Sequence, residues 1–211
     1  MKKHCTTFLF FLFAVIAHAQ SLHTTELIKN PSFEEEAKPI RNRRFGPNGE
    51  GELFGGYVPA GVILGWILPE ECIDASKMDV ITEGLLDTTQ HKALRWTIVE
   101  ATTATPAMIA NVGNRGIKVA KGHKYTLTFW ARTDKKYKGK IQVDLQGKND
   151  DHTSYAHAKI KGKIKKQWKR YTIPLTAEGD DTQARLVLMA DKPGVIYLDC
   201  VSLTMADRKH R

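Results

Sequence analysis

The sequence predicts an all-β protein in which two antiparallel sheets pack face to face as a sandwich. Three observations lead to this prediction. Short runs rich in β-branched and aromatic residues alternate apolar and polar side chains with a period of two. Turn-forming residues separate these runs. No run has a clear helical period, although the segment 73–84 leaves room for a helical turn.

Eight or nine strands are expected in order along the chain. The segments predicted to form them are 26–28, 93–99, 116–119, 124–132, 140–146, 154–161, 169–175, 184–190 and 195–203. The segment 124–132 has the clearest alternation, because its apolar residues at 125, 127, 129 and 131 share one face. The segment 140–146 repeats the pattern, with Ile141, Val143 and Leu145 expected to face the core.

The polar faces of these two strands carry candidate binding residues. An antiparallel sheet can cover the core with one face and leave the other free, so Trp130 and Arg132 are expected on a free face. Gln142, Asp144 and Arg95 are expected beside them. An exposed aromatic plane stacks against the C–H groups of a sugar ring, while planar polar groups pair with its hydroxyls. The alternative is that Trp130 packs beneath a loop and extends the core.

The first 19 residues are predicted to be a secretory signal peptide. A basic head, MKKH, precedes the apolar run 7–16, and Ala17-His18-Ala19 supplies small residues at the positions that a signal peptidase reads. A membrane span needs about 20 apolar residues, so this run is too short, and no other run approaches that length. We therefore expect a protein without a membrane span that is secreted, periplasmic or at the cell surface.

The remaining chain is expected to form one β-sandwich domain at 20–205, followed by a short basic tail at 206–211. Within the domain, the Gly- and Pro-rich segment 38–65 is too irregular to form regular elements. It contains Phe45, Phe54 and Tyr57. We interpret it as a long surface loop that can form part of a binding rim.

The chain carries a formal net charge of +9, and its lysines cluster at 135–140 and 159–170. A basic surface attracts polyanions. Secretion makes nucleic acid a poor candidate, which leaves an acidic polysaccharide or an anionic cell surface. The alternative is a solvated sheet edge on which lysines prevent pairing with another edge.

Two cysteines, Cys72 and Cys200, lie in the predicted domain. In an oxidising compartment they either form a disulfide or remain two separate buried thiols, and the sequence leaves both alternatives open.

No cluster of reactive residues predicts catalysis. His152 and His157 have no third histidine nearby in sequence that would complete a zinc site, and the acidic residues at 70, 71 and 74 are best explained as an exposed turn. Neither a nucleophile elbow nor a phosphate-binding loop occurs. The tryptophans at 66, 96 and 168 are expected in the core or at the sandwich edge.

Five stretches together resemble a known family. They are LIKNPSFE at 27–34, Gly-Trp at 65–66, YTLTFWAR at 125–132, WKRY at 168–171 and VIYLDCVSL at 195–203. In this order and spacing they are similar to the carbohydrate-binding modules of families 4, 9, 16 and 22, whose jelly-roll fold is like that of galactose-binding domains. The resemblance covers about residues 26–204. It implies a jelly-roll β-sandwich whose partner is a polysaccharide or oligosaccharide.

A narrower likeness points to one branch of this family. ELIKNPSFE at 26–34 and NVGNRGI at 111–117 resemble the module embedded near the N-terminus of family 51 α-L-arabinofuranosidases. In those enzymes a catalytic barrel follows the module, whereas this sequence stops at Arg211. The resemblance therefore implies a secreted, non-catalytic module for arabinose-containing plant polysaccharide, with a glycoside hydrolase as a second expected partner.

Other functions remain open at this point. The chain is alternatively a truncated fragment of an α-L-arabinofuranosidase, or a structural domain that docks on a partner enzyme or on the cell surface. A retaining glycosidase acting by itself needs two carboxyl groups roughly 5 Å apart across the scissile bond. The sequence identifies no such pair, so hydrolysis by this chain alone is not expected.

The resemblance also implies a structural calcium ion between the first and last strands. Glu34 and Asp199 occupy the positions of the family's ligating glutamate and its C-terminal aspartate. Carboxylates and backbone carbonyls are the oxygen ligands that calcium prefers. The family often has Asp-Asp in the last strand, and Cys200 replaces the second residue, which would weaken a site that uses that second carboxylate.

Overall fold

The computed structural model describes residues 25–35, 63–135, 137–148 and 153–205. Over these residues the chain forms eleven strands in two antiparallel sheets, which confirms the predicted all-β sandwich of the jelly-roll class. The strands are β1 (Trp66–Ile67), β2 (Ser76–Ile81), β3 (Ala93–Ile98), β4 (Ala107–Asn111), β5 (Ile117–Val119), β6 (Lys124–Arg132), β7 (Ile141–Gln146), β8 (Ser154–Lys159), β9 (Lys169–Thr176), β10 (Asp181–Ala190) and β11 (Gly194–Met205). Helical structure in this part of the chain is limited to one 3₁₀ turn at Glu70–Cys72.

The two sheets have different strand orders. The six-stranded sheet runs β1-β4-β10-β7-β8, and β5 pairs with the beginning of β10. The five-stranded sheet runs β2-β3-β11-β6-β9. The N-terminal segment lies against the last part of β11, where Glu26 pairs with Thr204 and the Leu27 N–H donates to the Leu203 carbonyl at 3.0 Å. The described domain therefore enters and leaves at the same end of the sandwich.

The core lies between the two sheets and follows the predicted alternation. In β6 the residues at 125, 127, 129 and 131 are buried, and those between them are half-buried. Phe129 of β6, Trp96 of β3 and Leu188 of β10 belong to one apolar cluster that joins both sheets. Burying one apolar side chain of this size stabilises the folded state by about 2 kcal/mol. Trp66 and Trp96 are both buried in this cluster, which confirms their predicted positions.

Asn111 at the end of β4 fastens the N-terminal segment to the six-stranded sheet. Its buried side chain donates to the Lys29 carbonyl at 2.9 Å, and it accepts from the N–H groups of Lys29 at 3.2 Å and Gly113 at 3.0 Å. These bonds satisfy backbone groups of an irregular segment that strand pairing leaves open. Phe33 in the same segment packs on Trp66, with ring centroids 5.2 Å apart.

The structure contains three strands that the prediction lacks, namely β1, β2 and β4. The predicted strand at 26–28 is reduced to an isolated bridge between Glu26 and Thr204. The segment 73–84 contains β2 in place of the helical turn considered there, and the 3₁₀ turn lies just before it. The strand β4 was absent from the predicted series because all five of its residues are buried, so its sequence AMIAN does not alternate. One face of β4 joins the core, and the other packs with Cys72 and Met189 on the outer side of the six-stranded sheet.

Cys72 and Cys200 are separate, free thiols. Cys72 packs with Met108, Val187 and Met189 against the six-stranded sheet, whereas Cys200 lies in β11 of the five-stranded sheet. Of the two alternatives that the sequence leaves open, the structure supports two unpaired thiols.

Several predicted features lie outside the described residues. They are the signal peptide at 1–19, most of the loop at 38–65, the basic tail at 206–211 and His152. Where the chain is described, none of its elements is a helix with the length and apolar character needed to cross a membrane.

Candidate functional site

The outer surface of the five-stranded sheet is the first candidate site, and we call it the Trp130 face. Its members are Arg95 of β3, Trp130 and Arg132 of β6, Tyr197 of β11, and Trp168 immediately before β9. Tyr197 pairs in register with Arg95 on one side and with Arg132 on the other. Paired residues of antiparallel strands point to the same side of a sheet, so three strands contribute to one row of side chains.

Trp130 lies one residue pair further along this surface. It is half-buried, and its partners across the strands are Asp199 of β11 and the exposed Arg170 of β9. Its neighbours Phe129 and Ala131 fill the core side of β6. The structure thus places Trp130 on the outer face, as the alternation predicts, with part of its indole accessible beside a guanidinium group.

Arg132 is held in place by contacts on several sides. Its guanidinium carbon lies 3.8 Å from the ring centroid of Tyr197 and 5.4 Å from that of Trp168. Its Nη1 donates to Asp134 Oδ1 at 2.9 Å, and its Nε donates to the Gly84 carbonyl at 3.2 Å. A planar guanidinium is suited to combined stacking and directed hydrogen bonding. Only 17% of the Arg132 side chain is exposed. Arg132 therefore holds its neighbours in position and has few N–H groups left to donate to a ligand.

Further hydrogen bonds complete the cluster around Arg132. The Tyr197 hydroxyl donates to Asp134 Oδ2 at 2.6 Å, and Trp168 Nε1 donates to the Gly84 carbonyl at 3.1 Å. Gly84 has φ of 63°, a left-handed conformation that favours glycine, and a Cβ atom there would lie 2.8 Å from Arg132 Nη2, so a larger residue would push the guanidinium away. From the sequence, Trp168 is expected only in the core or at an edge, and Tyr197 is not among the candidate site residues. The register of β11 against β6 places Tyr197 beside Arg132, whereas Trp168 is brought there by the segment that leads into β9, which also pairs with β6.

Arg95 occupies the other side of the Trp130 face. Its Nη2 atom lies 3.1 Å from Asp79 Oδ2, and Lys77 Nζ lies 2.8 Å from Asp79 Oδ1. Burial opposes ionisation of Asp79, but the hydrogen bonds and charges of Lys77 and Arg95 outweigh it and lower its pKa. The Arg95 side chain remains 42% exposed, so it can still reach a ligand on this face.

Gln142 and Asp144 do not join the other three predicted residues. Both point outward from β7, as expected, but β7 belongs to the six-stranded sheet on the opposite side of the sandwich. Gln142 is half-buried there, while Asp144 is buried and accepts from Ser154 Oγ at 2.6 Å and Gln146 Nε2 at 3.2 Å. Burial raises the pKa of Asp144. The expectation of one shared face is wrong because alternation gives the direction of a side chain but not the sheet that carries it.

A second arrangement of polar groups lies where the N-terminal segment meets β11. Asp199 is fully buried, and its Oδ2 atom has no hydrogen-bond partner. Burial, together with the nearby carboxylates of Glu34 and Asp87, raises the pKa of Asp199 to about 6. Glu34 Oε1 accepts hydrogen bonds from the backbone N–H groups of His91 at 2.7 Å and Lys92 at 2.9 Å. Negative groups therefore converge on a buried oxygen that lacks a partner.

These residues fit a calcium ion as part of its ligand set. A buried carboxylate oxygen without a partner, close to further carboxylates, is stabilised by a hard cation. In the described ranges, no three or more His, Cys, Asp and Glu side chains are arranged to hold a metal ion, so carbonyl oxygens would have to complete the coordination. The oxygen that lacks a partner belongs to Asp199, while Cys200 donates its N–H to Asp199 Oδ1 at 2.6 Å. The cysteine at position 200 thus leaves the predicted ligand Asp199 in place.

Comparisons with known proteins identify the family and the fold. Residues 25–194 match the family model of a carbohydrate-binding domain, and no curated protein matches the sequence. An arabinose-bound MgGH51 α-L-arabinofuranosidase is 18% identical with a TM-score of 0.64 over 88% of this chain, which spans 27% of that enzyme. A putative sugar-binding protein from Bacteroides thetaiotaomicron VPI-5482 is 16% identical, with a TM-score of 0.53, over 86% of this chain and 100% of its own.

A Stig cyclase, Fisc, from Fischerella sp. TAU has the same fold, with 16% identity and a TM-score of 0.52 over 88% of this chain and 100% of its own. Identities this low indicate shared architecture, and one architecture serves unrelated functions. The family match is more specific, since it covers the strands from β1 to β10, includes Glu34, Arg95 and Trp130, and ends where β11 begins. This chain therefore belongs to the carbohydrate-binding domain family, and its expected partner is a carbohydrate.

Proposed function

We propose that the domain binds a glycan on the Trp130 face and catalyses no reaction itself. The observation that carries this proposal is the half-buried indole of Trp130, which points outward from β6 beside the exposed Arg170. A sugar ring can cover the indole with its C–H groups while guanidinium groups donate to its hydroxyls. Arg95 offers a second guanidinium on this face. Arg132 acts as a positioning residue.

We infer that the glycan is an arabinose-containing plant polysaccharide. The support is the likeness of the segments 26–34 and 111–117 to the module of α-L-arabinofuranosidases, together with the fold shared with the arabinose-bound enzyme. Because the chain spans 27% of that enzyme, we propose a role beside a glycoside hydrolase, which the domain would hold at its substrate. The predicted signal peptide supports a secreted, periplasmic or cell-surface location.

Two substitutions on opposite faces test the site. Trp130→Ala removes the stacking plane and is expected to weaken binding of arabinan or arabinoxylan by at least about tenfold, as measured by calorimetry. Gln142→Ala alters the outer face of the other sheet and is the control, with an expected change of less than about twofold. Unfolding midpoints of both variants show whether the fold is kept.

Three results would contradict the proposal. A loss of affinity in Gln142→Ala with none in Trp130→Ala would move the site to the six-stranded sheet. Failure of the unaltered protein to bind any arabinose-containing or other plant glycan, with calcium present, would reject glycan binding itself. Release of sugar from an aryl arabinofuranoside by the purified protein would show that the domain is an enzyme.

We further propose that a structural calcium ion binds beside Asp199. The carboxylates of Asp199 and Glu34 would hold it, and backbone carbonyls would complete the coordination. The ion would supply positive charge to the buried carboxylate and would take no part in chemistry on the glycan. Thermal unfolding with calcium and with a chelator measures this binding, and Asp199→Asn removes the ligand.

A further inference from the structure

Three connections between strands meet at one end of the sandwich, which we call the lysine end. They are the β6–β7 connection at 133–140, the β8–β9 connection at 160–168 and the β10–β11 connection at 191–193. The Thr133 N–H donates to the Lys165 carbonyl at 2.9 Å, and the Tyr137 hydroxyl donates to the Lys192 carbonyl at 3.1 Å. These bonds link the three connections into one surface.

The lysine end carries a concentrated positive charge. Its exposed lysines, among the described residues, are those at 135, 138, 140, 161, 163, 165, 166 and 192. The described part of these connections contains two acidic residues, Asp134 and Asp191. Asp134 contacts Arg132 and Tyr197, and Asp191 is buried, with its Oδ1 accepting the Lys140 N–H at 2.7 Å. Two carboxylates beside eight exposed lysines leave the lysine end with a net positive charge.

The lysines of the β8–β9 connection extend from an anchored backbone. Ile164 is buried in the core, the Tyr171 hydroxyl donates to the Lys163 carbonyl at 3.0 Å, and the Ile160 N–H donates to the Ile141 carbonyl at 3.0 Å. An anchored backbone keeps the ammonium groups close together, which raises the local potential. Lysines that merely protect a sheet edge would lie along the edge strands β8 and β9, whereas most of these lie in the connections between strands.

The lysine end is continuous with the Trp130 face. Trp168 is the last residue of the β8–β9 connection, and Arg170, two residues later, pairs with Trp130. A single extended ligand could therefore contact both surfaces. A lysine ammonium group is a compact charge that can pair with a carboxylate in many orientations. A row of lysines therefore suits a flexible polymer that carries a carboxylate on each repeating unit.

We propose that the lysine end binds the carboxylates of a polyuronate, an acidic polysaccharide whose sugar rings continue onto the Trp130 face. This inference rests on the proposed glycan binding on the Trp130 face, and it adds an acidic polymer to the arabinose-containing glycan proposed above. The aromatic surface favours a sugar polymer, because a phospholipid headgroup layer or a nucleic-acid backbone would satisfy the lysines without using the indole of Trp130.

Two triple variants with equal charge changes provide the test. Lys161→Gln/Lys163→Gln/Lys165→Gln removes three charges from the lysine end, and Lys118→Gln/Lys121→Gln/Lys124→Gln removes three exposed lysines near the opposite end. Calorimetry with polygalacturonate should show an affinity loss of about tenfold in the first triple and less than about twofold in the second. Neither triple should alter binding of neutral arabinan, and added salt should weaken polygalacturonate binding alone.

The outcomes separate this inference from the proposed function. Equal losses in the two triples, or equal affinity for polygalacturonate and its fully methyl-esterified form, would overturn the lysine end as a carboxylate site while leaving arabinan binding intact. Comparable or tighter binding to vesicles containing anionic lipid, or to duplex DNA, would overturn the choice of a polyuronate. If the protein binds polygalacturonate through these lysines but does not bind arabinan, the inference is supported and arabinose specificity is rejected.

Discussion

Trp130 and Arg132 lie on the same face of β6, two residues apart, yet their surroundings differ. Trp130 leaves part of its ring accessible, whereas Arg132 is enclosed between Tyr197 and Trp168. The alternation of the sequence assigns both residues to the polar face because it reports only the direction of each side chain. One partner of the Arg132 guanidinium, Asp134, is only two residues away. The other contacts, with Gly84, Trp168 and Tyr197, come from residues that are distant in sequence, and local pattern does not encode them.

The enclosed position of Arg132 predicts that replacing it with lysine lowers the stability of the protein. Arg132→Lys keeps the charge but loses the planar stack and the directed bonds to Asp134 and Gly84, so the free energy of unfolding should fall by about 1–2 kcal/mol. Arg170→Lys is the matched control, because Arg170 is exposed, and its effect should stay within about 0.5 kcal/mol. Urea denaturation measures both. Equal effects in the two variants would mean that the stack around Arg132 adds nothing to stability.

At the scale of elements, the strongest alternating strands were predictable and their partners were not. The sequence identifies β6 and β7 as strands, and both have the expected inward and outward residues. They follow each other along the chain but lie in different sheets, which separates Gln142 from Trp130. The alternation within each strand is the same whether the connection between them stays in one sheet or crosses to the other. The buried strand β4 lacks alternation for a different reason, because both of its faces are covered.

Asn111 joins two elements, and its loss should therefore cost more than one hydrogen bond. Asn111→Ala leaves the partly buried N–H and carbonyl of Lys29 and the buried N–H of Gly113 without their partner, which predicts a fall of about 3 kcal/mol in the free energy of unfolding. Asn114→Ala, in the exposed connection that follows, should change stability by less than about 0.5 kcal/mol. A small effect at Asn111, measured by chemical denaturation, would show that the N-terminal segment is held mainly by Phe33.

At the scale of the whole molecule, the buried Asp199 couples folding to pH. Its pKa in the folded protein is about 6, against 3.8 for the free side chain. Between these values the folded state holds a proton that the unfolded state has lost, so stability without calcium should fall as the pH rises from about 4 to about 6. The total loss should be about 3 kcal/mol. Calcium, if bound, should reverse it, because the ion favours the ionised carboxylate.

Asp199→Asn separates these effects. In the presence of a chelator at neutral pH the variant should be more stable than the unaltered protein, and its stability should vary less between pH 4 and pH 7, because no carboxylate needs to be ionised in the interior. Added calcium should raise the unfolding midpoint of the unaltered protein but not that of the variant. An unchanged pH profile in the variant, or an equal response to calcium, would exclude Asp199 from both roles.

The candidate sites were predictable to different degrees. Strand direction predicts the outward position of Trp130, which the structure confirms. Glu34 and Asp199 were identified by family resemblance; the structure brings Glu34 close enough to affect Asp199, and their role as calcium ligands remains a proposal. Tyr197 and Trp168 required the pairing of β11 and β6 and the packing of a distant connection. Pairings between residues far apart in sequence depend on the whole core, which a short pattern does not contain.

The adjacent ends of the described domain have a consequence for reach. Glu26 and Thr204 are side by side, and Thr204 pairs with Thr126 near the start of β6, whereas the lysine end lies just beyond Arg132, where β6 finishes. At about 3.3 Å per residue, the six residues from Thr126 to Arg132 separate the two by about 20 Å. A partner joined through either end of the described domain would therefore be attached on the side away from a ligand on the lysine end. It would have to reach across at least this distance before it could touch the same polymer.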